Sequence, residues 1–596
     1  MKLRSVCYAA VVLALAVPAA RADEEKKDDK PVVAHIVLTG DLDEAPVGES
    51  PFGGVAGENL KQKLDRIAKA KKDPKVKALL LEIHDLKLGL FGFGKVDEVR
   101  AALADFRKSG KKVYAYVEEI GGLDYLIACA CDEIILPEGS GFGLTGLHLE
   151  MSFYKALLEK VHVKGDFLTM GEAKGAAEPY TRTEMGPENK KQYNLVLDDF
   201  YDKEIVQTIV ESRPAKQWNP ARVKAMIDEA PYTAKKALEL GLIDRVAYLD
   251  ALETQIKGDA EIARNYGKPK SSSDEGALAM IMKMMSPQKK KSSKKTKIAL
   301  IYAIGGIETG KGGGGLFGGP AIGSTTMIGA IREAEKDATV KAIVLRVDSG
   351  GGSALASDLI WHELKACKKP VVASMGDVAA SGGYYITMSA KKVFAEPGTL
   401  TGSIGVLGGK IVIGGLMDFA GIKTEVLVRG KNAAADSTNT PFSETEKKAL
   451  IATMQDIYDQ FLDKALAGRA ANGVKMDKAK LLTLAGGRIW TGRQAKEHGL
   501  VDALGTMEDA IAEAKSLAKL PADQEVEYLM LPEPSNPLER LLDGGGLGMK
   551  AAAGADLMSL LNAVPEVRQH ARAAESLLRM RNEKVWLTLP YGVRIR

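Results

Sequence analysis

Cysteine is scarce in this 596-residue sequence: there are four, Cys7, Cys129, Cys131 and Cys367. Cys129 and Cys131 stand two apart in an apolar stretch and would point in opposite directions on a strand. The sequence therefore predicts buried free thiols rather than a disulfide framework. Histidine is thin as well, with seven residues, and no His/Cys cluster has ligand spacing. Trp361-His-Glu-Leu-Lys-Ala-Cys lacks the second histidine of a zinc helix, so no metal is expected. An excess of one charge is also missing: 82 basic against 78 acidic residues leave +4, too weak a field for nucleic acid to be a partner. Beyond the first residues, no apolar run reaches the roughly 20 residues that span a bilayer without charges.

What remains is the balance of an ordinary globular protein, 27% charged and 45% hydrophobic. The start has a basic end (Lys2, Arg4), an apolar run from Val6 to Ala20 and the small-x-small pattern Ala20-Arg21-Ala22. It reads as an export signal over 1–22, cut before Asp23, and an uncut signal would serve as a membrane anchor. Cutting removes three basic residues and no acid, which brings the charge to near +1.

The rest is one unit written twice. Asp73-Pro-Lys-Val-Lys-Ala-Leu-Leu-Leu-Glu-Ile returns as Asp337-Ala-Thr-Val-Lys-Ala-Ile-Val-Leu-Arg-Val, and Tyr232-Thr-Ala-Lys-Lys-Ala-Leu-Glu-Leu-Gly-Leu-Ile-Asp returns as Trp490-Thr-Gly-Arg-Gln-Ala-Lys-Glu-His-Gly-Leu-Val-Asp. Each unit alternates short apolar strands (Ala34 to Thr39, Val113 to Val117; Ile298 to Ile304, Val371 to Met375) with amphipathic helices (Leu60 to Lys71; Met327 to Lys336). That order predicts an α/β fold with mostly parallel sheets, joined by right-handed crossovers. A helical region follows in each unit, Lys190 to Ser212 and Glu444 to Ala467. The expected organisation is a first unit over 23–267, a charged and Ser-rich linker over 268–297, a second unit over 298–520 and a C-terminal extension over 521–596. The extension reads as a Pro/Gly-rich loop and a helix from Glu566 to Asn582, with no counterpart in the first unit and no assigned role.

Gly305-Gly-Ile-Glu-Thr-Gly-Lys311 opens like a phosphate loop but fails at Gly312, where a magnesium-binding hydroxyl should stand. No nucleotide or other cofactor is expected. The informative segment is Pro370-Val-Val-Ala-Ser-Met-Gly-Asp-Val-Ala-Ala-Ser381-Gly-Gly-Tyr-Tyr. A buried strand ends in small residues, and Ser381 opens a helix. Its hydroxyl would be presented from a tight turn, with the Gly382 N–H aimed at a developing oxyanion; the alternative is that Ser381 only caps the helix. Asp348-Ser-Gly-Gly-Gly-Ser353 follows another strand, where Gly351 or Gly352 would supply a second oxyanion donor. Thr401-Gly-Ser403 offers a further hydroxyl. No histidine lies between 363 and 497 to activate Ser381, which leaves a lysine whose charged form burial disfavours. Chemistry alone does not choose which.

At these residues the chain resembles the signal peptide peptidase A family, in its long duplicated form. The resemblance runs from about Ile36 to Lys519. Its markers are Ser349-Gly-Gly-Gly-Ser, Ser374-Met-Gly-Asp-Val-Ala-Ala-Ser-Gly-Gly-Tyr-Tyr, Thr399-Leu-Thr-Gly-Ser-Ile-Gly-Val, Arg488-Ile-Trp-Thr-Gly and Lys174-Gly-Ala-Ala-Glu-Pro. It implies two tandem Clp/crotonase-like units and a Ser-Lys dyad divided between them, with Ser381 the nucleophile, Lys174 the general base and Ser403 orienting the lysine. It also implies hydrophobic peptide substrates such as cleaved signal peptides, a bacterial envelope location and a homotetramer. The repeat fits a divided site: aligning Tyr385 with Tyr125 sets Gly121 opposite Ser381, and aligning Gly430 with Gly171 sets Ala433 opposite Lys174. One departure stands out, since Gly350 replaces the family's usual proline and Asp348 a common asparagine. The added freedom is read as tolerated. Two rivals share parts of this pattern. An acyl-CoA enzyme of the crotonase type is disfavoured by the export signal, and a non-catalytic envelope scaffold by the intact Ser381, Lys174 and Ser403.

Overall fold

Both copies of the repeat fold as the alternation of apolar runs requires. The computed structural model describes residues 30–46, 57–88, 91–268, 293–313, 321–533 and 585–588, and the backbone of 593–595. The export segment, most of the linker and the helix expected over Glu566 to Asn582 lie outside the described residues. Among those described, no helix is long and apolar enough to cross a membrane.

The first sheet runs, edge to edge, Glu261–Ala263, Val32–Gly40, Val76–Leu86, Lys112–Val117, Glu133–Leu136 and Arg245–Val246, with every pair parallel. Helices Leu60–Lys72 and Phe93–Arg107 cover one face. The second sheet repeats this with Glu527–Leu531, Lys297–Ile304, Val340–Ser349 and Val371–Ala380 in sequence. Both faces of these sheets are covered, so central strands such as Val340–Ser349 read as nearly unbroken apolar runs. Leu60–Lys72 opens on a capping box in which Asn59 and Gln62 satisfy each other's backbone N–H groups, which explains why the helix starts there.

Two expectations are corrected. Glu527–Leu531, placed in the extension without a counterpart, pairs with Lys297–Ile304 as Glu261–Ala263 pairs with Val32–Gly40. After the last helix of each unit (Leu249–Lys257; Met507–Leu517) the chain adds one parallel edge strand. The repeat alignment at the serine is also one residue out. Tyr125 donates to the Leu242 carbonyl at 2.7 Å and Tyr384 to the Leu500 carbonyl at 2.9 Å, so Tyr384 matches Tyr125 and Gly122, not Gly121, stands opposite Ser381. The Tyr-Tyr pair misled because both of its members are buried.

Cys129, Cys131 and Cys367 are free, the first two buried at the C-terminal end of helix Leu123–Ala128 rather than on a strand. The expected helix Lys190 to Ser212 is present but widens to π geometry over Phe200–Gln207. Within that stretch Glu204 meets Arg493 of the second unit at 2.7 Å.

A third sheet joins the units. Its order is Ala321–Gly323, Gly306–Glu308, Gly351–Ser353, Val585–Thr588, Val406–Val412 and Lys164–Met170. The last pair is antiparallel over seven positions, from Met170 opposite Val406 to Lys164 opposite Val412. A first-unit strand is thereby the edge of a sheet made mostly by the second unit.

Candidate active site

The Val371–Ala380 strand is longer than its apolar core predicts, and it bends. Its register with Val340–Ser349 shifts between Val347 and Ser349, after which Val378 to Ala380 leave Lys392–Ala395 and pair with Leu400–Gly402. Small residues at 379 and 380 let this end pack without side-chain bulk; both are fully buried. The strand stops at Ser381, whose φ of 55° is outside the range that non-glycine residues normally adopt. Backbone bonds hold it there: the Ser381 N–H donates to the Gly402 carbonyl at 2.8 Å, and the Tyr385 N–H donates to the Ser381 carbonyl at 2.9 Å. Helix Gly382–Thr387 follows, but the Ser381 side chain makes no capping bond to it. The capping alternative therefore fails.

The hydroxyl faces Lys174 instead. Lys174 Nζ lies 2.7 Å from Ser381 Oγ, 3.0 Å from Ser403 Oγ and 3.0 Å from the Ser403 carbonyl oxygen. Lys174 is 4% exposed, Ser403 2% and Ser381 not at all. Burial holds the Lys174 amine well below the ordinary lysine value, and no neighbouring charge contributes to that shift. Lys164–Met170 brings the lysine here by docking against Val406–Val412, after which the chain turns at Gly171. The turn recurs in the second unit: the Lys174 N–H donates to the Gly171 carbonyl at 3.2 Å and the Ala433 N–H to the Gly430 carbonyl at 3.3 Å. Both glycines have positive φ.

The three glycines expected to line an oxyanion site are brought together. A Cβ added to Gly382 would sit 3.1 Å from Gly351 Cα and 3.1 Å from Gly352 N. Gly352 is closed over by strand Gly306–Glu308, since a Cβ there would meet the Ile307 carbonyl oxygen at 2.0 Å. Around Gly350, Ser349 Oγ donates to the Gly305 carbonyl at 2.6 Å and accepts the Gly351 N–H at 3.1 Å. That bridge restrains the freedom which the missing proline would otherwise allow. Asp348 accepts the Val378 N–H at 3.0 Å; burial pushes its carboxyl up toward the neutral form, with Lys95 opposing. The Val378 N–H bond is one that an asparagine side-chain oxygen would accept in the same way.

A buried amine of lowered pKa beside a serine hydroxyl, with backbone N–H groups nearby, is the constellation of an acyl-transfer site. Comparison with known proteins agrees. The model of peptidase family S49 matches residues 105–263 and again residues 363–521, together more than half of the chain. The chain belongs to peptidase family S49. This S49 serine protease is 34% identical to the chloroplastic serine protease SPPA of Arabidopsis thaliana, over 82% of its own length and 70% of the relative's. It is 31% identical to protease 4 of Salmonella typhi (77% and 72% of the two chains) and 28% identical to protease 4 of Haemophilus influenzae (82% and 79%). Among the described residues of the S49 chain, no group of His, Cys, Asp and Glu is placed to hold a metal ion.

Sequence reasoning left one part of the S49 site unread. Arg488-Ile-Trp-Thr-Gly is a motif marker with no role assigned, yet its turn grips the lysine loop. The Ala173 N–H donates to the Gly486 carbonyl at 2.9 Å, and the Ser403 N–H to the Arg488 carbonyl at 2.6 Å. Gly487 has φ +85°, and a Cβ on it would meet Lys174 N at 2.4 Å. Arg488 also pairs with Glu172. The signal was present as two consecutive glycines ahead of Arg488, a pattern that marks close backbone approach.

Proposed function

We propose that this S49 protease is an exported endopeptidase that cleaves unfolded hydrophobic peptides, cleaved signal peptides among them, through a Ser381–Lys174 dyad. The observation that carries the reading is the 2.7 Å separation of a fully buried serine hydroxyl from a buried amine of lowered pKa. A neutral amine has two N–H groups and one lone pair. With Ser403 Oγ and the Ser403 carbonyl accepting the two N–H groups, the lone pair is left for the Ser381 proton, which gives Ser403 its orienting role.

As Lys174 takes that proton, Ser381 Oγ bonds to the scissile carbonyl carbon. The carbonyl oxygen becomes an oxyanion held by the N–H of Gly382 and by that of Gly352, or of Gly351 once it exchanges its bond to Ser349 Oγ for the oxyanion. The Lys174 ammonium returns the proton to the departing amine, the C–N bond breaks and an acyl-enzyme remains. A water then gives one proton to Lys174 while its oxygen bonds to the acyl carbon. Release of the acid returns that proton to Ser381. On this reading the chain works in the bacterial periplasm or cell envelope as a homotetramer, a closed ring of the kind heterologous contacts produce.

The test is hydrolysis of a Leu/Ala-rich fluorogenic peptide. Wild type is expected to turn it over with an acidic limb: as pH falls through the depressed Lys174 value the amine takes a proton and kcat falls. Ser381→Ala, folded by circular dichroism, should drop to background. Turnover by Ser381→Ala, or a wild type silent on several apolar peptides, would refute the reading.

Gly351→Ala supplies a second check. Gly351 has φ +96°, and a methyl on it would lie 2.6 Å from Gly382 N, so the two proposed donors must separate. A loss of about 10²–10³ in kcat is expected, as for removal of one oxyanion donor. A variant with wild-type kcat would put the oxyanion site elsewhere.

A further inference from the structure

Val585–Thr588 has no part in the machinery above, yet it lies against it. The strand is antiparallel to both of its neighbours. On one side Gly351 stands opposite Thr588, Gly352 opposite Leu587 and Ser353 opposite Trp586. On the other, Leu407 stands opposite Trp586 and Gly408 opposite Val585. Without it, Gly351–Ser353 and Val406–Val412 would face each other with unpaired main-chain groups across a gap one strand wide, about 9–10 Å between their axes.

The position of this strand relative to the proposed chemistry is specific. A Cβ built on Gly351 would sit 2.0 Å from the Leu587 carbonyl oxygen and 2.6 Å from Gly382 N. The Leu587 carbonyl is thus beside the glycines proposed to receive the oxyanion. Trp586 packs with Ala176 and Ala177, which follow Lys174 almost directly, and with Leu407. Leu587 is fully buried in the second unit's core cluster. One short extended segment therefore touches the base's loop with one side chain and the oxyanion loop with its main chain. Val-Trp-Leu-Thr carries no charge, which is the chemistry of the peptides proposed as substrates.

We infer that Val585–Thr588 is a tethered ligand of the active site: it occupies the slot that a substrate's main chain takes by strand addition, and it must withdraw before a peptide can enter. The inference rests on the peptidase reading. Its consequence is autoinhibition by mass action, because only the fraction of molecules with an open slot binds substrate and the apparent affinity falls by that fraction.

Hydrogen–deuterium exchange on the full chain carrying Ser381→Ala tests this directly. Saturation with an unlabelled Leu/Ala-rich peptide is expected to remove the protection of amides 585–588. In kinetics, a chain ending at residue 583 should show a KM for the fluorogenic peptide at least about tenfold lower with kcat little changed. An added peptide spanning residues 584–589 should raise that KM again by competition. If wild type cleaves substrate while amides 585–588 of the peptide-saturated Ser381→Ala chain stay protected, the strand is a fixed wall and the inference falls while the peptidase reading stands. If no form cleaves any peptide but the added peptide still deprotects 585–588, the tethered ligand stands and the peptidase reading falls. Should the shortened chain fail to fold, the exchange measurement on the full chain decides alone.

Discussion

Lys174→Met should lower kcat/KM for peptide hydrolysis by about 10²–10⁴, the range that a positioned general base contributes. Among the described residues the amine bonded to Ser381 Oγ is that of Lys174, at 2.7 Å, and its two other contacts are both to Ser403. Because the two residues would act as one unit, the double variant Lys174→Met, Ser381→Ala should be hardly worse than either single one, far from additive. The same variant has a signature in stability that a merely structural lysine lacks. The folded-state pKa of Lys174 lies below its unfolded value, so between the two the unfolded chain binds more protons and wild type is penalised. That penalty is complete below the folded value and disappears as pH rises to the unfolded one. Relative to wild type, Lys174→Met should therefore be most favoured at acidic pH, below the folded-state value, and lose ground as pH rises toward the ordinary lysine range. Thermal melts of both proteins across that range measure it. A pH-independent difference, or retained hydrolysis, would refute the assignment.

Arg346→Met carries the largest expected cost to folding. Arg346 stands in the middle of the buried Val340–Ser349 strand with its guanidinium out of contact with water. It donates to Ser374 Oγ at 2.8 Å and to Glu44 at 2.5 Å, and meets Glu98 at 2.9 Å and Glu396 at 4.0 Å. Glu44 and Glu98 come from the first unit, Glu396 from the second. Burial pushes Glu98 and Glu396 up, and the two share a hydrogen bond, so the group stays buried only because one cation serves several carboxyls. Removing that cation leaves uncompensated charge in the interface, a loss of about 3–5 kcal/mol. Denaturant unfolding should show it as a lowered midpoint, and adding Glu44→Gln and Glu98→Gln to Arg346→Met should restore part of it. A neutral Arg346→Met would mean that the carboxyls are already uncharged. Arg346 also ties this cluster to the Val371–Ala380 strand that ends at Ser381, through Ser374 Oγ and the Met375 carbonyl.

These two sites mark how far the residues alone could be read. Local periodicity located the central strands and helices to within a few residues, because each buries a face determined by its own neighbours in sequence. The small residues ahead of Ser381 and its place at a strand-to-helix turn were legible for the same reason. Lys174 was not legible from chemistry and was identified by resemblance. Its burial depends on Lys164–Met170 pairing with Val406–Val412, and nothing in either segment announces a partner more than 200 residues away. The grip of Gly486 and Gly487 on the lysine loop, the slot filled by Val585–Thr588 and the edge strand Glu527–Leu531 are non-local pairings too. Arg346 did leave a trace, a lone charge inside Ile343-Val-Leu-Arg-Val, but a trace of burial does not say what neutralises it.

Dividing the proposed dyad between two units has a consequence for the order of synthesis. Lys174 and Ser381 are 207 residues apart. At about 5–20 residues per second, roughly 10–40 s pass between the making of one and of the other. Throughout that interval the emerging chain would hold the proposed base and not the proposed nucleophile. The slot beside them cannot be completed until Val406–Val412 has also been made and has docked. On the proposed mechanism, a hydrolase divided in this way could not cut its own unfinished chain before both units have folded.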